Sequence, residues 1–137
     1  MCSIGHNTLA KAGQLPDVLI HCFTGTHADL EVYLDAGYYI GITGWVTDRR
    51  RGSSLRELVP LIPLERLLIE TDAPFLRPHN VPESWLANHT VSTRHKHRCE
   101  PAHLSFVLQA VADIREESLE SLAQATFANA GRLFKLD

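Results

Sequence analysis

A chain of 137 residues, 45% hydrophobic and 21% charged, has room for one folded domain and an ordinary globular composition, which excludes a mainly disordered state. Its formal net charge of −3 excludes general attraction to nucleic acid, so any such binding has to use local basic clusters. The odd, widely separated cysteines (Cys2, Cys22, Cys99) argue against a disulfide framework, and neither a membrane-length apolar run nor a signal-peptide pattern is present. A cytoplasmic protein without a membrane partner is the expectation.

Residues 1–16 lack periodicity and are broken by Gly5, Gly13 and Pro16. Val18-Leu19-Ile20-His21-Cys22-Phe23, closed by Thr24-Gly25, predicts a buried strand. Residues 26–36 have ambiguous spacing, but their length and the Gly37 stop favour a short helix. Residues 38–44 form the next strand, with glycines that permit close backbone approach. Ser53 or Ser54 is placed to cap a helix over Leu55–Val59, with Glu57 closing a capping box on Ser54. Leu67–Thr71 is the third strand. A long polar stretch, 75–100, exceeds a simple connector. Pro101 then opens a helix carrying Leu104, Val107, Leu108, Val111 and Ala112, and Ser118 caps a last one through Leu122, Ala125, Phe127 and Leu133. Alternating strands and helices imply parallel β/α units with right-handed crossovers. Three strands leave two bare sheet edges, which suggests part of a larger α/β architecture.

Glu70 and Asp72 stand two apart at the end of an oily strand, Leu67-Leu68-Ile69, so strand geometry turns both carboxylates to one face. An acidic strand-to-loop junction is common, and the functional reading needs a partner. His21 is that partner, although a histidine with Leu19 and Phe23 on its face is as often a satisfied core side chain. Parallel strands bring their C-terminal ends to one rim, where a histidine and a carboxylate suit Zn²⁺, Mg²⁺ or Mn²⁺. Two ligands do not complete a site. His95, His97, Cys99 and His103 form a second cluster, but their spacing matches no familiar zinc motif and a solvated loop is the better account. The runs Arg49-Arg50-Arg51 and Arg94 to Arg98 are ordinarily solvated, yet beside a metal rim they become candidates for holding phosphates. Trp45 and Trp85 could stack bases or simply fill space.

The motifs His21-Cys22-Phe23-Thr24-Gly25, Tyr39-Ile40-Gly41-Ile42-Thr43-Gly44, Glu70-Thr71-Asp72-Ala73-Pro74, Arg98 to Pro101, and Asn129-x-x-Arg132-Leu133-Phe134 occur here in order. With the run from Leu58 to Pro74, they resemble the C-terminal half of the TatD-family metal-dependent deoxyribonucleases, over about residues 15–136. That resemblance implies a (β/α)₈ TIM barrel of the amidohydrolase type, represented here by strands six to eight and the closing helices. It implies one or two divalent ions at the rim, held in part by His21 and Asp72. Asp72 would also orient or deprotonate the attacking water, with Glu70 and Glu100 in support; Arg49, Arg50 and Arg98, from the basic runs, are the candidates for holding substrate phosphate. The implied reaction is hydrolysis of DNA phosphodiester bonds from the 3′ end, with RNA as an alternative substrate.

The departures are equally specific. The family's first-strand His-x-His is absent, because His95-Lys96-His97 lies after the third strand. Its fourth-strand glutamate and fifth-strand histidine are missing too. Cys99 stands where the family has asparagine in Arg-Asn-Glu-Pro, and residues 1–14 resemble nothing in the family. A barrel takes about 250 residues, so a truncated nuclease, incomplete by itself, is expected over 15–137. The alternative is a non-catalytic half-barrel that works only by association with itself or with another chain.

Overall fold

The computed structural model describes residues 16–89 and 97–136. In chain order it places β1 (Leu19–Ile20), α1 (His27–Asp35), β2 (Tyr39–Ile42), α2 (Ser53–Leu58), β3 (Leu67–Ile69), α3 (Glu83–His89), α4 (Leu104–Arg115) and α5 (Leu119–Phe134). The strands form one parallel sheet in the order β1-β2-β3, with Leu19 opposite Tyr39 and Ile40 opposite Leu67. This is the α/β arrangement expected from the alternating pattern, with shorter strands. The end of β1 departs most. Strict alternation would put His21 and Phe23 on one face, but Phe23 is 3% exposed while the His21 side chain is 56% exposed. Cys22 adopts a left-handed φ of 50°, which breaks the pleat and turns His21 outward as Phe23 enters the core.

β2 is buried along its whole length, as the middle strand should be. Ile40 and Ile42 are fully enclosed, packed with Leu30 of α1, Leu67 of β3, and Val107 and Val111 of α4. Each such side chain contributes roughly 1.5–3 kcal/mol over its exposed state. α1 begins at a reciprocal cap: the Asp29 backbone N–H donates to Thr26 Oγ1, and Asp29 Oδ2 accepts from the Thr26 N–H at 2.8 Å. The Ser54–Glu57 capping box expected for α2 is not formed. That helix starts at Ser53, with Gly52 at the N-cap and no side-chain cap bond. The chain is already turned upstream, where Asp48 Oδ1 accepts the backbone N–H groups of Arg50 and Arg51 at 2.9 and 2.8 Å. Pro101 opens a 3₁₀ turn, Pro101–His103, and the α-helix follows from Leu104. Ser118 caps α5 by accepting from the Ser121 N–H, as expected.

α5 is bolted to the start of β3. Buried Asn129 donates from Nδ2 to the carbonyls of Leu64 and Leu67, both at 2.7 Å, and its Oδ1 accepts from Arg132 Nη2. The Asn129-x-x-Arg132 pair thereby fixes the strand whose far end carries Glu70 and Asp72. Among the described residues no helix is long and apolar enough to cross a membrane.

Candidate functional site

The three residues singled out at the strand ends meet. Glu70 extends the β3 ladder by donating its backbone N–H to the Ile42 carbonyl at 3.0 Å. Its side chain then crosses β2 to reach the end of β1. Oε2 lies 2.7 Å from His21 Nδ1, and Oε1 accepts the Cys22 backbone N–H at 2.6 Å. On the other side of the ring, His21 Nε2 lies 3.6 Å from Asp72 Oδ1.

Gly41 makes that crossing feasible. A Cβ at this position would overlap Glu70 Oε1 and sit 2.8 Å from Glu70 Cδ. Any side chain on β2 here would therefore block the carboxylate. The left-handed Cys22 contributes as well, since it presents its N–H to Glu70 beside the outward-turned His21.

The hydrogen bonds assign the His21 tautomer. An ionised carboxylate only accepts, so Nδ1 carries the proton toward Glu70 and Nε2 keeps a lone pair in the neutral ring. Nε2 and Asp72 Oδ1 are then two acceptors facing each other across 3.6 Å. Two facing acceptors call for a cation between them, and a carboxylate behind the histidine is the usual support of a metal-bound imidazole. The Glu70 hydrogen bond and charge, with a smaller contribution from Asp72, hold the His21 pKa above its usual value. A proton and a metal ion would compete for the same nitrogen.

His21 and Asp72 thus fit a divalent ion as two donors, and no group of three histidines, cysteines or acids gathers among the described residues. In the metal-free chain burial pushes the pKa of Cys22 up, against a weaker pull from its Thr43 hydrogen bond, and raises that of Cys99 as well.

Glu100 is exposed, and its backbone N–H donates to His103 Nδ1 at 2.9 Å. Arg49, Arg50 and Arg98 are exposed. Of the second cluster, His95 lies outside the described residues. His97 is exposed, while His103 is buried 4.8 Å from the Trp85 ring, and burial lowers its pKa. Trp85 fills space against His103 and Phe106, and Trp45 carries the Arg51 guanidinium 4.4 Å from its ring centroid. Sequence reading missed the part played by the Cys22 N–H, for which no local pattern exists.

Comparison with known proteins gives a consistent result. The family described as TatD related DNase matches residues 6–135, taking in part of the N-terminal stretch that the motifs left unmatched. The 3′-5′ ssDNA/RNA exonuclease TatD of Citrobacter rodentium is 51% identical over 121 residues, which is 88% of this chain and 43% of that protein. The protein of the same name from Escherichia coli is 50% identical with the same coverage of each chain, 88% and 43%. The chain thus spans about two fifths of the length of these relatives. The crystal structure of another TatD homologue from Escherichia coli superposes with a TM-score of 0.70 at 27% identity, over 87% of this chain and 40% of that one.

Proposed function

We propose that this chain, which belongs to the TatD-related DNase family, supplies the C-terminal part of a metal-dependent site that hydrolyses phosphodiester bonds of single-stranded DNA or RNA. Its strands β1, β2 and β3 would be the sixth, seventh and eighth of a TIM barrel. The observation that carries this reading is the meeting of His21 Nε2 and Asp72 Oδ1, with Glu70 fixing the ring from behind. His21 and Asp72 would hold a divalent ion, Mg²⁺, Mn²⁺ or Zn²⁺, alone or as part of a pair. Such an ion lowers the pKa of water and offsets charge on phosphoryl oxygens. Asp72 is the group that orients the attacking water and accepts its proton. Glu70 positions His21, Glu100 is a supporting carboxylate, and Arg49, Arg50 and Arg98 offer exposed charge to the strand. The odd, widely separated cysteines fit a reducing compartment, which favours the cytoplasm.

Two donors are fewer than the three a catalytic zinc takes from protein, so the site needs ligands beyond His21 and Asp72. The expected result is metal-dependent release of nucleotides from the 3′ end of single-stranded DNA when the N-terminal three fifths of a close relative is supplied in trans. Asp72→Ala should lower that rate by at least about 10²-fold. Undiminished hydrolysis by Asp72→Ala would sink the assignment.

A second reading, a non-catalytic half-barrel that functions by association, draws on the open flank of the sheet. Among the described residues β1 and β3 are both edge strands. Beside β3 an apolar groove is lined by Leu68, Ile69, Leu104, Leu108 and Phe127, the last 82% exposed. Light scattering coupled to size exclusion decides, since a compact monomer contradicts self-association.

A further inference from the structure

A cavity of about 260 Å³ lies between the 3₁₀ turn that follows β2, Gly44–Thr47, and the loop that follows Asp72. Trp45, Asp48, Arg51, Arg77, His79 and His97 contribute its polar and aromatic lining. The loop is seated here by specific contacts. A Cβ on Gly44 would overlap the Leu76 carbonyl oxygen, so only glycine lets the two segments close up. Thr47 Oγ1 accepts the His79 backbone N–H at 2.7 Å, while its own hydroxyl donates to the Gly44 carbonyl at 2.6 Å.

The charges in the cavity do not cancel. Asp48 is spent locally: Oδ1 takes two backbone N–H groups, and Oδ2 accepts from Arg51 Nε and Nη2 at 3.1 and 3.0 Å. Arg51 is thereby neutralised and stacked on Trp45, forming a wall. Arg77, half-buried, has no hydrogen bond or ion pair among the described residues, and no carboxylate left over in the lining can balance it. Two imidazoles, His79 and His97, stand beside it. An unmatched guanidinium in a concave, partly aromatic setting suits a tetrahedral oxyanion. The volume lies just under the range of about 300–1,000 Å³ typical of whole small-molecule ligands, so the cavity takes one unit of a larger ligand.

Both this cavity and the His21–Asp72 pair follow the C-terminal ends of the strands. Cys99 ties down the loop that joins them, its backbone N–H donating to the Pro74 carbonyl at 2.9 Å. We infer that the cavity is a subsite for a non-scissile phosphate of the nucleic-acid strand, with Arg77 as its principal contact and the Arg51–Trp45 stack as its wall. This rests on reading the chain as part of a nucleic-acid hydrolase, but it can be tested without hydrolysis.

The experiment is fluorescence anisotropy of the full chain with labelled ten-nucleotide oligothymidylate and oligodeoxyadenylate, in chelator, across a salt series. Arg77→Gln should weaken binding about five-fold for both oligomers and reduce the slope of log affinity against log salt by about 0.7, the loss of one single-strand phosphate contact. Lys135→Gln, an exposed position at the end of α5 and outside the cavity, should leave affinity within two-fold. Arg77→Lys, which keeps the charge, should recover part of the loss, and circular dichroism checks that each variant is folded. The subsite is overturned by an absence of wild-type binding, by Arg77→Gln matching wild type, by equal losses in Lys135→Gln and Arg77→Gln, or by a loss confined to one base. Lack of metal-dependent hydrolysis in the complemented chain would instead count against the proposed function and leave the subsite standing.

Discussion

The two ends of β3 are both polar, and they differ in how completely their hydrogen-bonding capacity is used. At the start, Asn129 is fully buried and every polar atom of its side chain is engaged, by Leu64, Leu67 and Arg132. At the far end, Glu70 spends both oxygens on β1, while His21 Nε2 and Asp72 Oδ1 face each other across 3.6 Å, open to a proton or a metal ion. A satisfied buried polar group stabilises a fold, whereas two acceptors left facing one another in reach of solvent define a place for a ligand. Motif membership by itself does not separate these roles, since both ends belong to the pattern shared with the family.

The strongest test of the contrast is at the buried end. Asn129→Ala strands the buried Leu67 carbonyl and the part-buried Leu64 carbonyl and should cost about 2–4 kcal/mol in urea unfolding, with the midpoint shifted and the slope unchanged. A loss below about 0.5 kcal/mol would remove the distinction between the two ends.

Next is the crossing over β2. Gly41→Ala should push the Glu70 carboxylate off His21 at a cost of about 1–3 kcal/mol. In NMR titration of the metal-free chain, the His21 pKa should fall toward its ordinary value, and Glu70→Gln should produce the same fall without the steric cost. An unchanged His21 titration in Glu70→Gln would show that the carboxylate does not hold the ring.

The smallest effect concerns Asp48, whose carboxyl is pulled down to about 2 by the backbone N–H groups of Arg51 and Arg50, with the Arg51 side chain adding to them. A depressed folded-state pKa adds stability above the unfolded value near 3.9 that is lost as pH falls through about 2. Asp48→Asn should therefore flatten the decline in urea midpoint between about pH 4 and pH 2. An equally steep decline in the variant would place the acid sensitivity elsewhere.

Much of this was legible in the chain itself. The run Leu67-Leu68-Ile69 had to be a strand, and parallel β/α alternation had to bring its end to the rim that His21 shares. The helix over 26–36 followed from its length and the Gly37 stop, and it forms over His27–Asp35. The Ser54–Glu57 box did not form because Asp48, six residues earlier, had already turned the backbone, a competition that a local motif cannot register. Alternation also misplaced His21, since a single left-handed residue at Cys22 reverses the faces.

By itself, then, the sequence determined the strand order of residue types, the family pattern, and the pairing of His21 with Asp72, because period and motif are local properties. Only the tertiary structure decided that Glu70 reaches across Gly41 to fix the ring, and that Arg51 is spent on Asp48 while Arg77 is not. Those outcomes depend on which groups consume one another's charge and hydrogen bonds once distant segments meet.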